Sequence, residues 1–234
     1  MGLEFAKRYL EGTGDPVDKA RAAVIAAVLN DRGVDVPLPN GATPERPLEV
    51  SRFNDVDREA LLKAGALIYE LTGETIEDQQ GAGRKFWYVT DGGDKLLEKP
   101  SRRGEIAIFP DPNEFFIPES GGKSLADQEK LASRDTKALQ KRLNTKGLKV
   151  IIPEEASTLT EITFKHLEET GEWLFGERYG YNYGRTKNST NKSGSRVASV
   201  GRAGLGLGLG VGGWHRGGGL DDVRVVRLVV PSGI

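Results

Sequence analysis

Between Val200 and Leu220 the hydrophobic pattern has a period of two, with Leu205, Leu207 and Leu209 alternating with Gly206, Gly208 and Gly210. Ten of the residues from Gly201 to Gly219 are glycine. Alternate residues of an extended segment face opposite sides, so the pattern predicts three buried leucines on one face and bare glycines on the other. Glycine packs nothing and loses the most entropy in a strand, so a run this long calls for a special reason. Upstream the period changes. Leu3 to Leu10 and Val17 to Leu29 read as helices, the second with Asp15 as N-cap, Pro16 at its first position and Gly33 beyond its end. Val34 to Arg46 reads as a loop, and Asn54 or Asp55 caps a third helix running to about Leu71, closed by Gly73.

The next elements are shorter. Lys85 to Thr90 is a predicted strand and Asp91-Gly92-Gly93 a turn. Glu105 to Phe109 and Glu114 to Ile117 suit two strands, or a strand and its return. Leu125 to Leu143 is helix-prone, as one helix or as two broken near Ser133. Leu148 to Ile152 reads as a buried strand. Ser157, Thr158 and Thr160-Glu161 offer caps to a helix through Thr170, with Ile162, Leu167 and Trp173 on its core side. Beyond Arg178 helix formers vanish, which predicts irregular basic loops. Val223 to Val230 then closes the chain as one apolar strand.

Composition narrows the chemistry. The 234 residues carry a net charge of −1, yet from Gly176 onward nine Lys and Arg face three acids, a local excess of +6. With no cysteine there is no disulfide, thiolate metal site or cysteine nucleophile, and two histidines make a histidine metal centre improbable. No metal and no cofactor is expected. No apolar run reaches membrane-spanning length, and Met1 to Asn30 lacks the apolar core of a signal peptide.

Motif-like strings mostly dissolve on inspection. Gly121-Gly122-Lys123-Ser124 lacks the first glycine of a phosphate loop, since Ile117 stands there, and reads as a capped turn. Gly208, Gly210 and Gly213 match G-x-G-x-x-G, but Trp214-His215-Arg216-Gly217 opens no helix to receive a pyrophosphate. Asp111-Pro112-Asn113-Glu114 is similar to the acid-Pro-Asn triplet of calcium-dependent lectins, without the downstream Trp-Asn-Asp, and reads as a proline-directed turn. His166 reads as a surface or satisfied histidine, and His215 as a contact residue. Basic residues among tyrosines (Arg178, Tyr179, Tyr181, Tyr183, Arg185, Lys187) could hold a phosphate backbone and stack bases, though RGG repeats are missing.

Gly194-Ser195-Arg196-Val197-Ala198-Ser199, the biased run after it and the closing Val223-Arg224-Val225-Val226-Arg227-Leu228 together resemble the C-terminal regions of variable proteins of diversity-generating retroelements. That family includes phage and archaeal-virus tropism determinants. The resemblance covers roughly Lys149 to Val230 and implies a C-type lectin fold of the formylglycine-generating-enzyme branch. The chain departs from the pattern at Val225, at Asp221-Asp222 and at Gly213-Trp214, where Gly-Gly-Ser-Trp is usual. The resemblance also implies a reason for the glycines. Randomised template adenines turn an asparagine codon into Gly, Ser, Thr, Arg, His, Tyr or Val, so a template alternating Asn and Leu would fix the leucines and vary the glycines. The enzymatic cousins rely on cysteine, which this chain lacks.

The expectation is an α+β protein: a helical N-terminal unit over residues 1–100, then a C-type-lectin-like domain over 101–234 with a variable region at about 178–224. It would bind a protein or glycan ligand, such as a host-surface receptor, without catalysis, at a virion or cell surface. The contact residues would be Tyr181, Tyr183, Asn188, Gly201, Arg202, Gly206, Gly208, Gly210, Gly212, Gly213, Trp214, His215, Arg216, Gly217, Gly218 and Gly219. The alternative is nucleic-acid binding by the basic quarter; third is a hydrolase or transferase, for which no acid and base pair is visible.

Overall fold

The computed structural model describes residues 51–90, 96–204 and 206–232. The two helices expected before Asn30, the loop after them, the Asp91 turn and Leu205 lie outside the described residues.

Helix α1 (Asp55–Lys63) starts where the sequence places a cap: the Asn54 side chain accepts from the Asp57 amide. It does not run to Leu71. Gly65, at φ +82°, follows the helix end, and Leu67–Thr72 becomes strand β1. Its Tyr69 and Leu71 are buried while Glu70 and Thr72 are exposed, a strand's alternation rather than a helix's. Helix α2 (Ile76–Gly81) begins with a capping box between Thr75 and Asp78. Strand β2 (Phe86–Val89) and strand β3 (Arg103–Ile108) follow as predicted. Glu114 to Ile117 is no strand. Asp111 caps a single helical turn, α3 (Pro112–Phe115), and Phe116 makes one bridge to Val226.

Helix α4 (Leu125–Leu143) is one unbroken helix, capped by Ser124 and closed by left-handed Asn144. Strand β4 (Leu148–Ile151) precedes α5 (Ala156–Thr170), which starts a turn earlier than its Ser and Thr residues imply. Ser157, Thr158 and Thr160 therefore lie inside the helix and buried, with Thr160 bonding back to the Ser157 carbonyl at 3.0 Å. Glu161, wholly buried, accepts from the Thr72 amide at 2.8 Å and from the Thr72 and Ser101 hydroxyls, which ties α5 to the end of β1.

The region after Arg178 is not irregular. It forms strands β5 (Tyr183–Ser189), β6 (Arg196–Gly204) and β7 (Gly208–His215). The expected closing strand is two: β8 (Val223–Arg224) and β9 (Leu228–Pro231), which belong to different sheets. One sheet has the order β1-β3-β9-β4, the other β2-β7-β6-β5-β8. The fold class is α+β.

Helix α5 and facing residues of both sheets share one core that includes Tyr69, Ile106, Leu228, Val200, Leu209 and Val211. The opposite face of the four-stranded sheet packs on α1 and α4 through Leu61, Ala107, Val229 and Leu139. Arg227 bonds Asp135 of α4 through Nε and Nη2 at 2.7 and 3.1 Å, so the turn between β8 and β9 is held to that helix. Residues 51–234 form one compact unit, so the boundary expected near residue 100 falls at residue 50 instead. The physical reason is strand pairing: β1 joins β3, and β2 joins β7.

Candidate ligand-binding face

The period-two leucines are split by a turn. β6 and β7 form a hairpin whose loop includes Gly206 and Leu207; Leu209 is wholly buried, but Leu207 is 66% exposed. The two-face expectation therefore fails at Leu207 and holds at Leu209. In the five-stranded sheet Leu209 and Val211 point to the core, so Gly210, Gly212 and Trp214 line the outer face. Across the ladder, Ser199 is opposite Gly212 and Arg185 is opposite Ser199; Gly201 stands between Gly210 and Tyr183. Directly opposed residues share a face.

The glycines fall into two groups. Gly208 has φ +97°, and a Cβ there would strike the Lys85 carbonyl. At Gly210 it would meet Trp87 Nε1 at 2.7 Å, because the indole lies over this glycine and donates to the Arg202 carbonyl at 3.2 Å. Gly201 is closed by Asn182 and Tyr183, Gly213 by Thr190 and Gly219 by Lys123. These five are structural, contrary to the expectation that they are free to vary. Gly206, Gly217 and Gly218 have open space, and at Gly212 only Ser199 Oγ comes within 4 Å, at 3.8 Å.

The side chains expected at the site also divide. Tyr181 is 47% exposed and Arg202, His215 and Arg216 are exposed, while Trp214 is half-buried. Tyr183 is buried, its ring beneath the Arg202 guanidinium at 6.0 Å, and burial pushes its hydroxyl pKa up. Asn188 is buried on the core side, where its Oδ1 accepts from the Ala156 amide at 3.3 Å, so it is no surface contact. Two grooves border the face. One, of about 540 Å³, is lined by Trp173, Arg178, Tyr181 and Gly204; the other, of about 860 Å³, by Leu125, Glu129, His215, Arg216, Gly217 and Gly218.

Sequence reasoning missed Trp87 and Tyr88, exposed by 43% and 48% on β2 with rings 5.7 Å apart. Their neighbour Phe86 packs on Phe164 of α5, which anchors the strand. It also misjudged the cations. Arg178 pairs with Glu172, and Lys187 with Glu129 and Glu154; burial pulls the Lys187 pKa down, but the two carboxylates more than reverse this and hold it raised. Arg185 is buried. The alternation Tyr183, Arg185, Lys187 was a legible strand signal.

Among the described residues no group of three or more His, Asp or Glu is placed to hold a metal ion, and no helix is long and apolar enough to cross a membrane. His166 is buried rather than at the surface, with Nδ1 bonded to the Tyr69 hydroxyl at 2.7 Å and its pKa lowered by desolvation. No protein-family model, curated protein or solved structure matches the chain.

Proposed function

We propose that the chain is a non-enzymatic recognition protein that binds a protein or glycan ligand on the outer face of its five-stranded sheet, with the residue 204–208 loop and the residue 215–219 loop at the margins. The observation that carries this reading is the segregation of the glycines. Gly206, Gly212, Gly217 and Gly218 have room for side chains, and Gly217 and Gly218 line one groove with the exposed His215 and Arg216. Gly201, Gly208, Gly210, Gly213 and Gly219 are closed by the framework. A surface that can change side chains without disturbing its core is what retroelement diversification of a lectin-like domain requires. Under this reading the protein acts at a virion or cell surface. Aromatic and Arg side chains supply most interface energy, so this copy's anchors are Trp87, Tyr88, Tyr181, Arg202, Trp214 and Arg216.

Nucleic-acid binding is the weaker reading, because Arg178, Lys187 and Arg227 are already neutralised by acids and Arg185 is buried. The test is a display library randomised at the four open glycines, with a matched library at Gly201, Gly208, Gly210 and Gly213. The first is expected to yield folded clones selectable for new ligands, and the second few folded clones. Equal recovery from both would refute the reading.

A further inference from the structure

A β-bulge sets two aromatic side chains on one face of β2. Phe86 pairs with Leu209 and Tyr88 with Gly210, so two steps along β2 match one along β7. Phe86 and Val89 pack on the core shared with α5, which leaves both Trp87 and Tyr88 for the outer face. In a regular strand consecutive side chains alternate, and one of the two would point inward. Among the described residues they are the one adjacent pair of large exposed apolar side chains, the kind of patch that marks a binding site.

The pair is held by constant parts. The Phe86 ring meets Phe164 of α5 at 5.1 Å, and the Trp87 indole covers Gly210 and donates to the Arg202 carbonyl at 3.2 Å. Residues 86–89 lie outside the segment expected to vary, and Gly210 beneath them admits no side chain. Across the sheet Tyr88, Gly210, Gly201 and Tyr183 stand opposite one another in turn, and the Arg202 guanidinium lies over the Tyr183 ring at 6.0 Å. Arg202 is exposed and makes no salt bridge among the described residues. Of the acids only Asp222 acts on Tyr183, and less strongly than Arg202. With about 5 Å between neighbouring strands, the indole over β7 and the guanidinium over β5 are about 10 Å apart.

We propose that Trp87 and Tyr88 form a constant platform for one pyranose ring of a glycan, and that Arg202 in this copy selects a sugar bearing a carboxylate. Aromatic faces are electron-rich, and the C–H bonds on the face of a sugar are their complement. The two rings lie 5.7 Å apart and are tilted by 37°, so a flat base could stack on only one of them, whereas the puckered C–H face of a pyranose touches both. A nucleic-acid strand would also need a track of cations, and here Arg178 and Lys187 are held by acids and Arg185 is buried. One exposed arginine beside the platform matches one carboxylate. This rests on the outer face being the binding face, and narrows its ligand to an acidic sugar.

The test is a titration of the full chain, followed by the ¹⁵N–¹H resonance of the Trp87 indole. Methyl glucuronide should shift it saturably, with a Kd of about 1 mM for a ligand of this size. Methyl glucoside, which carries a hydroxymethyl group in place of the carboxylate, should bind about fivefold more weakly, the value of one exposed ion pair. Arg202→Asn, which suits the left-handed φ of +49°, should bring the two sugars to equal affinity without weakening the glucoside. Tyr88→Ala, at an exposed position, should weaken both about fivefold. No saturable shift with either sugar, equal affinities in the parent, undiminished binding by Tyr88→Ala, or tighter binding of uridine monophosphate or of acetyl-prolyl-glutamate would overturn the proposal. If the open-glycine library yields binders while these titrations fail, only the acidic-sugar assignment falls.

Discussion

Replacing Gly208 by alanine tests the division of the glycines at its sharpest point. Its φ of +97° is unfavourable for any residue with a Cβ, which costs about 1–2 kcal/mol. The new Cβ would also strike the Lys85 carbonyl, which accepts the Leu209 amide at 2.9 Å. Moving that carbonyl away loses a bond worth about 1 kcal/mol net. The total, about 2–3 kcal/mol, lowers Tm by about 4–12 °C for a domain of this size. Gly206, two residues earlier, has nothing within 4 Å of its Cβ position, so Gly206→Ala should stay within about 0.5 kcal/mol of the parent. Thermal and urea unfolding followed by circular dichroism measures both. If Gly208→Ala melts with the parent, or Gly206→Ala is the more damaging, the reasoning from backbone angle and local space is wrong.

Two further outcomes follow from burial. Leu209→Ala should cost about 2–5 kcal/mol, whereas Leu207→Ala in the exposed loop should fall within about 0.5 kcal/mol, both read from urea midpoints. His166 gives a pH signature. Its folded pKa lies below the unfolded value of about 6.5, so below that pH the unfolded chain binds more protons and stability falls as pH drops. Relative to the parent, His166→Gln should show a shallower loss of stability between pH 7 and 5.5; an unchanged slope would mean that the imidazole is not held neutral in the fold.

The bounds of helix α4 were legible in its run of helix formers, but not that it continues unbroken through Ser133 or that Ser124 caps it. Strand β2 was legible through its run of β-branched and aromatic residues. The segment 67–72 was not, since the apolar positions after Asn54 fit a helix until Gly65 breaks it, and only pairing with β3 makes a strand. Val223 to Val230 reads as one apolar run, yet Arg227 turns it between two sheets by bonding Asp135. At the candidate site the period-two pattern predicts extended chain through Leu207, but Gly206 and Leu207 form the hairpin turn, and of these two leucines only Leu209 lies in a strand with its side chain buried. Which glycines are closed could not be read locally. Gly208 and Gly210 are shut by Lys85 and Trp87, more than a hundred residues earlier in the chain.

The central claim, that an open face varies over a closed framework, is tested most directly by sequencing the DNA around the gene. The account predicts a near-identical downstream repeat beside a reverse transcriptase, differing from the gene at template adenines. Those differences should fall in the codons for Arg202, Gly206, Gly212, His215, Arg216, Gly217 and Gly218. The codons for Arg185, Ser199, Gly201, Gly208, Leu209, Gly210, Gly213 and Gly219 should carry none. A locus without such a repeat, or one whose differences strike the closed glycines as often as the open ones, would contradict it.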